Sequence, residues 1–217
     1  ILTKDICKKF HISIETARRD LNKLEKEGVL RKVYGGAVLA DDSLVPEPID
    51  SWSVRLTENL EAKKTIATHV ASLIPNDSTV WLDTGTSIFE VACQLKDRAN
   101  VTIVTNSLRI ASELGMCKNL TVYCVGGIVK HELLNTSGFL AMEFLKYFSH
   151  FDYAVISGDA FVPDKGALEI TMEAVMIKQS ILENADKVVA AIDHTKFGAR
   201  ANFLSCPTKK IHTLVTD

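Results

Sequence analysis

The chain has 217 residues, 47% of them hydrophobic and 24% charged. That balance fits one large globular domain, or a small and a larger one, and excludes wholesale disorder. No apolar run reaches the roughly 18 residues of a membrane-spanning helix, and no signal peptide is read at the start, so a cytoplasmic protein without a membrane partner is expected. The formal net charge of −2, from 25 basic and 27 acidic side chains, argues at first against nucleic acid, but it averages two opposed segments.

Residues 1–40 hold nine basic and five acidic side chains, a charge of +4, which leaves −6 for the rest. A basic head on an acidic body is expected when one end approaches a polyanion. Within the head, Thr3 can cap a short helix over Lys4–Phe10, with Ile6 and Phe10 on one face. Ser13 then caps a second helix whose Ile14, Ala17, Leu21 and Leu24 form an apolar stripe ended by Gly28. Glu15, Thr16, Arg18, Arg19 and Lys23 fall off that stripe, as residues of a DNA recognition helix do. Two β-prone stretches flank a Gly35-Gly36 turn. This hairpin reads as a wing whose Arg31, Lys32 and Tyr34 contact the DNA backbone or minor groove. The plainer alternative is a helical hairpin with a solvated basic face, but it leaves the ordered caps, stripe and hairpin unexplained.

Asp41–Ser51 contains Pro46 and Pro48 with three aspartates and reads as an extended linker. The expected organisation is a head over 1–40, a linker over 41–52 and a second domain over 53–217. The second domain opens with a helix over Arg55–Ile74. Five apolar strands then alternate with helices, each running into a short polar or glycine loop. These loops begin at Asp83-Thr84-Gly85-Thr86-Ser87, Thr105-Asn106-Ser107, Gly126-Gly127, Ser157-Gly158-Asp159 and Asp193-His194-Thr195-Lys196. The pattern predicts an α/β domain with a mostly parallel sheet covered on both faces, and ligands bind such sheets beyond the carboxyl ends of the strands. A strand, a small polar loop and a helix N-terminus also form an anion site, because free backbone N–H groups point at one spot. Five scattered cysteines without a C-x-x-C pair read mostly as small core residues of a reduced protein. The six histidines show no metal-ligand pair, so neither metal nor cofactor is expected.

Ser13-Ile14-Glu15-Thr16-Ala17-Arg18-Arg19-Asp20-Leu21 followed by Tyr34-Gly35-Gly36-Ala37 resembles the signature of the DeoR-type bacterial transcriptional regulators. The loops of the second domain resemble that family's effector domain, and so do the Glu173 to Lys178 spacing and Asp193 to Gly198. The resemblance implies a winged helix-turn-helix that lacks its first helix here, joined to a sensor domain related to ribose-5-phosphate isomerase. It implies a repressor of a carbohydrate operon that binds double-stranded operator DNA as a homodimer or homotetramer and is released by a phosphorylated sugar or polyol. By that resemblance Asp83 and Asp159 bind sugar hydroxyls. Thr84, Gly85, Thr86, Ser87, Asn106 and Ser107 hold phosphate or hydroxyls, and Lys178 or Lys196 adds positive charge. Gly126-Gly127 reads equally as a ligand contact or a plain tight turn, and either lysine reads also as a loop-capping surface residue. The alternative function, a sugar-phosphate isomerase-like enzyme, leaves the head unused, and Ser157-Gly158-Asp159-Ala160 and Lys165-Gly166-Ala167 break the isomerase signatures. A general nucleoid binder would respond to no small molecule.

Overall fold

The structure, a computed structural model, describes residues 3–26, 29–33, 36–39, 51–131 and 133–217. Its contacts divide the chain into two units, Ile1–Asp50 and Ser51–Asp217.

The first unit contains α1 (Thr3–Phe10), α2 (Ile14–Lys26), β1 (Leu30–Val33) and β2 (Gly36–Leu39). His11 at φ 53° turns the chain between the two helices. The Ser13 hydroxyl oxygen accepts the Thr16 N–H at 3.1 Å, the expected cap. Ala17, Leu21, Leu30 and Ala37 are buried, with Ile6 and Leu24 packed against this small core. Ile14 and Phe10 are 55% and 61% exposed, contrary to their place in the predicted stripes. A core made by two short helices and one hairpin covers only the middle of each helix. The strands pair antiparallel with Val33 opposite Gly36, so Gly36 belongs to β2 rather than to the turn. Tyr34 lies outside the described residues, as do the side chains of Arg31 and Lys32.

The second unit starts with α3 (Ser51–Thr57) and α4 (Leu60–Leu73), followed by β3 (Thr79–Leu82), α5 (Thr86–Gln94), β4 (Val101–Thr105), α6 (Leu108–Leu114) and β5 (Leu120–Cys124). A hairpin of β6 (Ile128–Lys130) and β7 (Asn135–Ser137) leads into α7 (Phe139–Leu145) and β8 (Phe151–Ile156). Next come β9 (Ala160–Val162), β10 (Gly166–Glu169), α8 (Met172–Leu182), β11 (Ala185–Ala191), β12 (Phe203–Pro207) and β13 (Thr213–Val215). The linker expected over 41–52 lies outside the described residues except at its end, where Ser51 and Trp52 are already helical. Trp52 is buried edge-on against Phe89, with the Arg109 guanidinium 5.0 Å from its ring. The single helix predicted from Arg55 to Ile74 is instead two, because Asn59 takes a left-handed φ of 51°. The Lys63 ammonium donates to the Glu58 carbonyl at 2.6 Å and to the Arg55 carbonyl, satisfying groups that the end of α3 leaves open.

Six strands form one sheet in the order β13-β11-β8-β3-β4-β5. Every neighbouring pair is parallel. The five predicted strands are all in it, and β13 joins at one edge. Alternate side chains feed two cores. Val80, Leu82, Ile103 and Val155 pack on one face with residues of α4, α5 and α6, whereas Trp81, Val104, Ala154 and Ile156 pack on the other with α7 and α8. Burial of both faces is why these strands read as continuous apolar runs. β9, β10 and β12 form a separate antiparallel sheet. Of the five cysteines, all free, only Cys206 is buried and Cys124 is exposed, so the expectation of mostly core cysteines is corrected.

Candidate functional site

The chain order reverses between β3 and β8: from β3 the sheet grows through β4 to β5, and from β8 through β11 to β13. The loops beyond two adjacent strands diverge at such a point and leave a crevice. A cleft of about 620 Å³ lies there, lined by the carboxyl-end loops of β3, β4, β8 and β11 and closed by α3, the β6–β7 hairpin and the start of α8. The junction itself is pinned by Asp83. Its backbone N–H donates to the Val155 carbonyl at 3.1 Å, and its carboxylate accepts the Ser157 N–H at 3.2 Å.

Gly85 enters α5 at φ 120°, a conformation open to glycine, and no side chain caps the helix. The first-turn N–H groups therefore face the cleft without an intrahelical acceptor. Arg55, Lys63 and Lys196 line the same cleft. Burial holds the Lys63 ammonium below its ordinary pKa; Asp193 and Glu58 oppose this, while Lys196 and Arg55 push the same way.

The centre of the cleft is a buried charge cluster. Lys178, 3% exposed, lies 3.0 Å from the Asp83 carboxylate, pairs with Glu169, and donates to the Ser157 carbonyl at 2.6 Å. Burial alone would lower the Lys178 pKa, but Asp83 and Glu169 together raise it above the usual lysine range. Glu169 is pushed up to about 7, first by burial, against the attraction of Lys178, and further by the like charges of Asp83 and Asp159. One ammonium thus serves several carboxylates, and Glu169 is the one that keeps a proton near neutrality. The folded chain holds that proton between about pH 4.5 and 7, where the unfolded chain has released it, so stability from this group falls as pH rises through the window. Glu169→Gln is expected to gain in melting temperature relative to the parent from about pH 5 to about pH 8. Identical pH slopes for the two proteins would show that Glu169 does not carry the proton.

Of the residues predicted for the effector, Asp83, Thr84, Gly85, Thr86, Ser87, Asn106, Asp159, Lys178 and Lys196 line this cleft together. Ser107, Gly126 and Gly127 do not. Ser107 is fully buried and accepts the Ile110 N–H as the cap of α6. Gly127, at φ 143°, lets the β7 backbone approach: a Cβ there would lie 2.5 Å from the Ser137 carbonyl oxygen. Lys178 caps the Ser157 loop carbonyl, as one reading had it, but from a buried position between Asp83 and Glu169 rather than from the surface. Arg55, Asn59, Lys63, Asn135 and Thr171 line the cleft without having been singled out in the sequence. Among the described residues, His150, Asp152 and Asp186 bring possible metal-ligand atoms within 4.8 Å of one another at the opposite, amino ends of β8 and β11. They are exposed or half-buried, and Asp152 already accepts the Thr79 N–H at 2.7 Å.

In the first unit, Glu15, Thr16, Arg18, Arg19 and Lys23 are all exposed on α2, opposite its buried Ala17 and Leu21. Ser13 is occupied as the helix cap, its hydroxyl 2.9 Å from that of Thr16.

The sequence profile of a DeoR-like helix-turn-helix domain matches residues 1–43, and that of a DeoR C terminal sensor domain matches residues 58–217. The glycerol-3-phosphate regulon repressor of Escherichia coli (strain K12) is 32% identical over 217 residues, covering 100% of this chain and 84% of that protein. The HTH-type transcriptional regulator GolR of Listeria innocua is 30% identical with the same coverage. The HTH-type transcriptional repressor GlcR of Bacillus subtilis (strain 168) is 32% identical over 100% of this chain and 82% of its own. Among solved structures, eIF2B beta from Chaetomium thermophilum superposes with a TM-score of 0.54 at 13% identity, over 71% of this chain and 48% of that one, a likeness of fold alone. Ribose 5 phosphate isomerase A from Neisseria gonorrhoeae gives a TM-score of 0.48 at 14% identity, over 64% of this chain and 53% of that one. With both domain profiles matched and full-length relatives at 30% identity or more, the chain belongs to the DeoR family of helix-turn-helix transcriptional regulators and is a regulator rather than an enzyme.

Proposed function

We propose that this chain is a cytoplasmic repressor of a carbohydrate- or polyol-utilisation operon, released from operator DNA when a phosphorylated sugar or polyol fills the cleft. The observation that carries the effector reading is the cleft at the strand-order reversal. There an uncapped helix N-terminus faces a space shared with Arg55, Lys63 and Lys196, and carboxylates and amides line the rest. Backbone N–H groups with such cations suit a phosphate, and the oxygen-rich remainder suits hydroxyls. The names of the glycerol-3-phosphate regulon repressor and the repressor GlcR point the same way.

The head, residues 1–40, presents Thr16 and Arg19 to base edges. Arg18, Lys23 and the wing residues Arg31, Lys32 and Tyr34 contact phosphates. The linker ends before α3, which belongs to the sensor. Paired heads suit two operator half-sites, so the assembly is a homodimer or homotetramer. Ile128, Phe139 and Leu140, each about two-thirds or more exposed, supply apolar surface for a second copy. Release requires that effector bind the DNA-free arrangement more tightly than the DNA-bound one; occupancy alone shifts nothing.

Thermal denaturation with a panel of sugar and polyol phosphates tests the effector reading, because a ligand that binds only the folded state raises the melting temperature. At saturating concentration, near a hundredfold above Kd, stabilisation of about 2.7 kcal/mol is expected. A panel in which no phosphate ester raises the melting temperature would overturn the reading.

A further inference from the structure

The β6–β7 hairpin has a paired edge and an open one. β7 pairs with β6 on one side. On the other it meets the loop after β4, where the Thr136 N–H donates to the Asn106 carbonyl at 2.8 Å and Asn135 bridges to Ser107. Thr136 and Ser137 are accordingly buried. Among the described residues β6 pairs with β7 alone, so the backbone groups of its outer edge have no strand beside them. Ile128 and Val129 are both exposed, although alternate residues of a strand face opposite ways. Lysine usually guards such an edge, but Lys130 is drawn to Glu173 of α8 at 3.4 Å. An exposed apolar edge is a template for another strand.

Apolar surface continues from that edge onto two helices. The Ile128 Cδ1 atom lies over Gly138, 3.4 Å from where a Cβ would stand, and Gly138 leads into the exposed Phe139 and Leu140 of α7. Met172 and Met176 stand one turn apart on α8, beside the Glu173 that holds Lys130, and are about half exposed. α7 and α8 pack on each other, so the three elements adjoin. At on the order of 100 Å² for each covered side chain, these residues offer roughly 600 Å². One partner of a specific interface buries about 800 Å², and the strand edge adds to the side chains. A patch of this size is at the upper end of what a monomer leaves open.

We propose that this face is a twofold interface with a second copy of the chain, in which the two β6 strands pair antiparallel about Val129. The two hairpins then form one four-stranded sheet. Twofold symmetry requires a surface complementary to itself, and a strand edge laid antiparallel against the same edge meets that requirement. Centred on Val129, the pairing sets Ile128 against Lys130 of the partner subunit and keeps the two lysines apart. Centred on Lys130, it would set like charges directly opposite each other, which is destabilising. Strands of three residues exchange few hydrogen bonds, so the flanking Phe139, Leu140, Met172 and Met176 supply most of the stabilisation. Lys130, Asn135 and Ser137 of the same hairpin line the cleft, which places the second copy one strand away from it. The assignment rests on the second-copy reading above and gives it a location and a register.

Cross-linking and assembly test it together. In the full chain carrying Cys124→Ser, which removes the exposed thiol, Val129→Cys should form an intermolecular disulfide on mild oxidation. Directly opposed residues of an antiparallel pair hold their Cα atoms about 4.5–5.5 Å apart, within disulfide reach. Asp186→Cys, exposed at the amino end of β11, is the control and should cross-link far more slowly. Analytical ultracentrifugation measures assembly. Ile128→Glu combined with Phe139→Glu should keep the circular dichroism of the parent, because both side chains are exposed. It should lose one level of assembly, with the dissociation constant there raised about a hundredfold or more, since carboxylates would be covered without a partner. A parent chain that stays monomeric at micromolar concentration would overturn the second-copy reading and this interface together. A parent that assembles would overturn the interface alone if the double variant assembles as tightly, or if Val129→Cys cross-links no faster than Asp186→Cys.

Discussion

Replacing Lys178 with methionine is expected to destabilise the sensor domain by about 3–5 kcal/mol at neutral pH, the cost of removing one partner from a buried ion pair. Methionine keeps most of the volume, so the loss is electrostatic rather than a cavity effect. Without the ammonium, Asp83 is left buried beside a Glu169 that must stay protonated to still higher pH, and the Ser157 carbonyl loses its donor. The loss should grow as pH rises above about 7, where Glu169 of the parent ionises beside Lys178 and that of the variant has no counter-charge to ionise against. Urea denaturation at two pH values measures both effects. A loss under about 1 kcal/mol at neutral pH would place Lys178 outside the set of groups that hold the cleft together.

Arg19→Ala is expected to weaken operator binding by about 1–3 kcal/mol while changing the affinity for unrelated DNA much less, because a base contact carries discrimination. Arg19 is exposed on α2, away from the buried Ala17 and Leu21, so truncation leaves the small head core intact. Lys23→Ala is the contrast. Removing an ammonium that binds phosphate should weaken every duplex alike and reduce the slope of affinity against salt by about one. Fluorescence anisotropy with operator and scrambled duplexes over a salt series separates the two. Equal weakening of both duplexes by Arg19→Ala would reassign Arg19 to the backbone.

The parts of the site that sit at strand ends were legible in the sequence. A buried parallel strand is an apolar run, and the small polar residues that end it fall at the rim where ligands bind, so Asp83 to Ser87, Asn106, Asp159 and Lys196 could be picked out locally. Ser107 lies one step past a strand end and turns into a helix cap, and Gly127 turns tightly against a hairpin, one of the two readings the sequence left open for it. What stayed hidden depends on long-range folding. Arg55 and Lys63 reach the cleft because the chain breaks at Asn59 and α3 packs on α5 through Trp52 and Phe89; the sequence reads as one continuous helix there. Asn135 arrives on a strand of three residues, too short for any alternation to show. The burial of Lys178 follows from α8 packing on both sides, with Val175, Ile177, Ile181 and Leu182 also buried. A lysine among such residues looks like a surface side chain until Asp83 and Glu169 are seen beside it. In the head the error ran the other way: Ile14 and Phe10 fit an amphipathic stripe, but the core is too small to cover them.

The most direct test of effector control is the affinity of the full chain for DNA from its own promoter, measured at fixed salt without and with a saturating sugar or polyol phosphate shown to bind the cleft. A fall of about 5- to 150-fold is expected, the range of ordinary coupling between two sites, and by reciprocity saturation with that DNA should weaken the phosphate ester by the same factor. Operator affinity that stays constant while the cleft fills would contradict control of the head by the cleft.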